Sequence, residues 1–139
     1  MKNFMDDQDF LLSTKTGEEL FHSFAEGMPI VDYHCHISPK EIWDDKRFES
    51  ITEVWLGGDH YKWRLMRANG VDERFITGDA PAREKFQKWA ETLGRCVGNP
   101  VFEWSHLELK RFFGYEGVLN GKTAQEVWDL ANAKLAEAS

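Results

Sequence analysis

Nine residues, Met28-Pro29-Ile30-Val31-Asp32-Tyr33-His34-Cys35-His36, constrain this chain more than any others. The run is apolar and β-branched and ends in two histidines one residue apart, so it reads as a buried strand over about 29–36. Successive side chains of a strand point to opposite faces, which places His34 and His36 on one side and Cys35 on the other. Two imidazole lone pairs at the C-terminal end of a strand make half of a divalent-metal site. Ser38-Pro39-Lys40-Glu41 follows, with a cap, a proline at the first helical position and a glutamate in the first turn, so the order is strand, ligands, loop, helix. In parallel α/β proteins active sites lie at that end of the strand. The plainer reading, a surface strand whose histidines are only polar neighbours, stands beside it.

A single buried strand cannot satisfy its own backbone. Phe10-Leu11-Leu12 is a candidate partner, a second short strand; otherwise the neighbours lie in another chain or in residues after Ser139. The rest reads as helices. Thr16 and Glu19 resemble a capping box for a helix over about 15–26, with Leu20, Phe21 and Phe24 as its apolar face. Ser50 and Glu53 repeat the device for a helix ending at Leu56, and Asp59 caps one over 60–68 that stops at Asn69-Gly70. Phe86, Trp89, Ala90 and Leu93 fall at helical spacing within about 81–93. Asn99-Pro100 opens a further helix with Phe102, His106, Leu109 and Phe113 on one stripe. Thr123 to Glu126 opens the last, with Val127, Leu130, Ala131 and Leu135 facing inward. Trp89, Trp104 and Trp128 all read as core, His106 as a satisfied core histidine, His22 as exposed, and Cys96 as a packing residue.

At 139 residues, 42% hydrophobic and 29% charged, the composition is that of a globular domain. A net charge of -7 without a basic patch argues against nucleic acid. No segment has the form of a signal peptide or a membrane span, which makes the cytoplasm the expected location. Two cysteines, neither in a Cys-x-x-Cys pair, make no disulfide framework. Six tryptophans and ten phenylalanines point to thick helix packing or to a surface that meets a partner, and a homo-oligomer fits as well.

A second constellation is Trp55-Leu56-Gly57-Gly58-Asp59-His60-Tyr61-Lys62-Trp63-Arg64. The glycine pair would let backbone approach a ligand, and the helix start would leave N–H groups free for an anion, with His60, Tyr61, Lys62 and Arg64 as donors. On chemistry alone the plainer reading is favoured, a turn in which Asp59 caps while Tyr61 and Trp63 pack.

Taken together, the stretches 32–39 and 55–64 resemble the N-terminal part of the uronate isomerase (glucuronate isomerase) family. Asn69-Gly70-Val71-Asp72, residues 84–92 and Trp104-Ser105-His106-Leu107-Glu108-Leu109 extend the resemblance to about Leu135. It implies a mostly α chain with one or two short strands, forming the start of a (β/α)8 barrel of the amidohydrolase superfamily. Residues 1–38 would hold the N-terminal helix and first strand, and residues 39–139 a helical insertion. It further implies a divalent metal, usually zinc, on His34 and His36, and a uronate sugar bound by His60, Tyr61 and Arg64. The reaction would interconvert D-glucuronate with D-fructuronate and D-galacturonate with D-tagaturonate. The family's barrel is several times longer, and its further metal ligands and substrate-binding arginines come from later strands. The chain alone is therefore expected to be inactive, with no catalytic base among its residues and with the remainder of the barrel as its partner. A metal-dependent hydrolase of the same superfamily and a non-catalytic helical binding module are the alternatives.

Overall fold

The computed structural model describes Met5, Asp6 and residues 8–137, and the chain divides into two compact units, Met1–Cys35 and His36–Ser139. In the first unit α1 spans Lys15–Leu20 and runs into a π-helical turn, Phe21–Ala25. The cap of α1 is Thr14, not Thr16: the Thr14 hydroxyl accepts the Gly17 N–H at 3.0 Å. His22 is held between the carboxylates of Asp9 (3.0 Å) and Glu26 (3.2 Å), and these two acids raise its pKa.

Two expectations fail in this unit. Phe10-Leu11-Leu12 is a turn, with Leu11 at φ +62° and the Leu12 N–H on the Asp9 carbonyl at 3.0 Å. Residues 29–35 take no regular structure, and among the described residues there is no strand. The run read as buried is open to solvent: Ile30 is 92% exposed, Val31 82% and Tyr33 94%. The physical reason is the one that made a lone strand awkward. A strand forms when a neighbour takes its N–H and C=O groups, and nothing in these residues offers that ladder.

The second unit is helical: α2 (Pro39–Trp43), α3 (Ile51–Leu56), α4 (His60–Ala68), a 3-10 turn (Glu73–Phe75), α5 (Ala82–Leu93), α6 (Pro100–Phe113) and α7 (Ala124–Glu137). Its capping follows the sequence in outline and departs in detail. Ser38 makes no side-chain cap bond. Ser50 accepts the Glu53 N–H, but the Glu53 carboxylate answers to the Glu49 N–H (2.9 Å). Asn99 caps α6 through the Val101 N–H (3.0 Å), and Gly114 closes it at φ +71°, the left-handed conformation in which a Cβ is costly. The Thr123 hydroxyl turns back on its own loop, accepting the Asn120 N–H and donating to the Val118 carbonyl.

Helix α5 is the hub, packing on α3, α4, α7 and the 3-10 turn. Its stripe of Phe86, Trp89, Ala90 and Leu93 is fully buried, as the spacing predicts, and each such large side chain contributes about 1.5–3 kcal/mol by leaving water. The α6 stripe of Phe102, His106, Leu109 and Phe113 is buried too. On α7, Val127 and Ala131 are buried, while Leu130 and Leu135 are partly so. Of the three tryptophans read as core, Trp89 is buried and Trp128 half-buried against Phe86 (ring centroids 5.6 Å). Trp104 is 59% exposed, because position 104 lies two residues, about 200°, from the buried Phe102 around the helix. Among the described residues no helix is long and apolar enough to cross a membrane.

Candidate substrate site at the start of α4

Gly57 and Gly58 break the chain between α3 and α4. A Cβ at Gly57 would lie 2.4 Å from the Glu53 carbonyl oxygen, so the close approach here is to the helix's own backbone; a Cβ at Gly58 would meet nothing within 4 Å. Asp59 caps α4, its Oδ1 accepting the N–H groups of Tyr61 (2.9 Å) and Lys62 (3.3 Å), while Oδ2 takes the Lys62 ammonium at 2.7 Å. Burial works against the Asp59 anion, but the Lys62 ammonium and the two N–H groups outweigh it and hold the carboxyl below its usual range.

This arrangement corrects the expectation of an open anion site. The N–H groups that would welcome an anion are occupied by Asp59, and the Lys62 ammonium is turned onto the same carboxylate, with its side chain 12% exposed. The plainer reading holds for Asp59 and for Trp63, which is half-buried and donates its indole N–H to the Leu56 carbonyl at 2.7 Å. Tyr61 departs from it, standing 51% exposed.

What the start of α4 does present is an aromatic cluster. The rings of His60 and Tyr61 lie 4.4 Å apart, and His36 stacks on both, at 5.4 Å from His60 and 5.3 Å from Tyr61, the latter nearly parallel at 9°. The Arg64 guanidinium sits over the Tyr61 ring, 5.4 Å from its centroid. Three of the expected sugar-binding side chains and one expected metal ligand are thus in one exposed group of the second unit, with imidazole, phenol and guanidinium donors side by side. His34 belongs to the first unit, exposed, its N–H donating to Asp32 Oδ1 at 3.2 Å.

Imidazoles suit zinc, but a catalytic zinc site takes three protein ligands. Among the described residues no group of three or more histidine, cysteine or acidic side chains is placed to hold a metal ion. His34 and His36 offer one imidazole each, fewer than the three protein ligands such a site takes.

Sequence reasoning missed Glu108. Its Oε2 accepts the Trp55 indole N–H at 2.7 Å, across from α6 to α3. Burial pushes the Glu108 carboxyl up and Asp59 adds to the push, while Lys62 and the Trp55 N–H pull against it. The one available signal was its place beside Leu109 on the flank of the buried α6 stripe, where a solvated acid is the commoner case.

Comparison with known proteins agrees with the resemblance. The family model described as glucuronate isomerase matches residues 1–139. A uronate isomerase of Lachnospira eligens is 69% identical over all 139 residues, and one of Endomicrobium trichonymphae 63% identical over the same span. The chain covers 30% of the length of each. The crystal structure of uronate isomerase from Thermotoga maritima superimposes with a TM-score of 0.84 at 41% identity, over 94% of this chain and 29% of that one.

Proposed function

Because the chain belongs to the glucuronate isomerase family, we propose that it works as the N-terminal portion of a longer aldose–ketose isomerase acting on D-glucuronate and D-galacturonate. The observation that carries this reading is the grouping of His36, His60, Tyr61 and Arg64, drawn from both sequence constellations, on one exposed surface. In the longer protein, residues 29–36 become the first strand of a (β/α)8 barrel once later strands supply their ladder, and the helices after residue 38 form an insertion behind it. The chain spans about 30% of its relatives' length, in keeping with a site completed from elsewhere.

The isomerisation removes a proton from C2 of the open-chain aldose and delivers one to C1, while the hydroxyl proton of O2 leaves and O1 gains one. His60 and Tyr61 hydrogen-bond the sugar's hydroxyls or carboxylate, and Arg64 adds a positive charge for the carboxylate. His34 and His36 would contribute imidazoles toward a divalent metal, which would polarise the sugar's carbonyl or an adjacent hydroxyl, with its remaining ligands supplied by the longer protein. The proton acceptor also lies outside it.

The isolated chain is therefore expected to convert neither uronate. In the full-length enzyme, His60→Ala is expected to lower kcat/KM for D-glucuronate by about 10- to 150-fold, the size of one lost hydrogen bond to a charged group. His34→Ala or His36→Ala is expected to reduce bound zinc, measured by metal analysis after dialysis. Full activity in the His60 variant would remove the substrate role from α4. Hydrolysis of amides or lactones without isomerisation would favour the hydrolase instead.

A further inference from the structure

The bonds that fix the start of α4 are mostly local. Asp59 caps the helix and holds Lys62, and Trp63 ties back to the Leu56 carbonyl. The bond from Trp55 to Glu108 differs, because it reaches outside residues 55–63 to another helix. Trp55 is 3% exposed and lies in the last turn of α3, with only the buried Leu56 between it and the glycine break, so the position of its indole bears on where the following loop begins. The Lys62 ammonium lies 6.0 Å from the Trp55 ring centroid, directly after Tyr61 in the chain. Glu108 thus acts on Trp55 and Lys62, the two residues that bracket the loop, His60 and Tyr61: Trp55 is held by the hydrogen bond, and Lys62 is felt through its charge.

We propose that Glu108 is a positioning residue, fixing through Trp55 the place from which α4 presents His60 and Tyr61 to the sugar. The inference rests on the substrate role given to those two residues above. An acceptor on a neighbouring helix is the right device for the task. The loop at Gly57-Gly58 has little side-chain packing of its own, and a displacement near 1 Å in a substrate-binding group is enough to weaken binding severely.

The test uses the full-length metal-loaded enzyme and steady-state kinetics with D-glucuronate. Glu108→Ala is expected to raise KM about tenfold with a smaller change in kcat, since binding geometry suffers before chemistry does. Glu108→Gln keeps an oxygen that can accept the Trp55 N–H and is expected to restore most of the loss. Trp55→Phe keeps the ring, deletes the donor, and is expected to reproduce the rise in KM; it carries the test should the alanine variant not fold. An unchanged KM in the folded Glu108→Ala enzyme, whatever its melting temperature, would overturn the proposal. So would a glutamine variant no better than the alanine one, because accepting the Trp55 bond would then not matter. His60→Asn separates the two levels of the reading. Loss there with none at position 108 overturns the positioning role alone, and no loss at either position overturns both.

Discussion

Replacing Phe86 with alanine is expected to cost the chain about 3–5 kcal/mol, read as a shift of the urea midpoint with little change in slope. Phe86 lies on the hub helix and is fully buried. Its ring stacks near Trp55 (centroids 6.2 Å) and Trp128 (5.6 Å), so its loss opens a cavity between α3, α5 and α7. Those helices pack on one another in all three pairings and cannot slide freely to fill the gap. Against a total stability of about 5–15 kcal/mol for an ordinary domain, this one change consumes a large share. A midpoint close to the wild type would show that the α5 stripe is not the centre of the core.

His106→Leu is expected to cost about 1–3 kcal/mol and, more tellingly, to change how stability depends on pH. The Leu119 backbone N–H can only donate, so the His106 Nε2 it meets at 2.9 Å is a lone pair, and Nδ1 carries the proton donated to the Phe102 carbonyl at 2.6 Å. The imidazole is thus held neutral, and burial pushes its pKa below the usual value near 6.5. As pH falls through about 6.5 the unfolded chain takes up a proton that the folded chain refuses, so the folded state loses stability until the depressed pKa is reached. His22 works the other way: raised by Asp9 and Glu26, it adds stability below about 6.5 that fades as pH climbs through its folded value. The two histidines therefore act in opposite directions, His22 above about 6.5 and His106 below it. The wild-type minus His106→Leu difference isolates the buried one, and it should shrink as pH is lowered from 7 to 5. A difference independent of pH would mean that His106 is not held neutral.

Most of the helical unit is legible in the sequence because its signals are local. Phe86, Trp89, Ala90 and Leu93 declare one face of a helix whatever surrounds them, and Asn99, Pro100 and Gly114 bound another by their own backbone chemistry. The run at 29–36 fails for the opposite reason. β-branched residues say what a segment would pair like, but not whether a partner strand is present. Trp104 reads as core when it is counted with a helical stripe, but it lies about 200° from Phe102 and so faces water. At the start of α4 the sequence names the side chains but not their directions. Nothing in Asp59-His60-Tyr61-Lys62 tells that the lysine folds back on the aspartate while the imidazole and phenol turn outward. Glu108 lay beyond reach altogether, since its meaning depends on Trp55, a residue distant in the chain and near only in the fold.

The exposure of two tryptophans has a practical consequence. Trp43 and Trp104 stand 89% and 59% open to water, whereas Trp55 and Trp89 are sealed. Indoles in these two settings emit at different wavelengths, red-shifted in water and blue-shifted in the apolar interior, and a soluble quencher such as iodide reaches the first pair far more readily than the second. The chain thus carries an intrinsic optical reporter. Iodide-quenchable, red-edge emission from the isolated chain that disappears in the full-length protein would mark Trp43 or Trp104 as surface covered during assembly, without any label being attached.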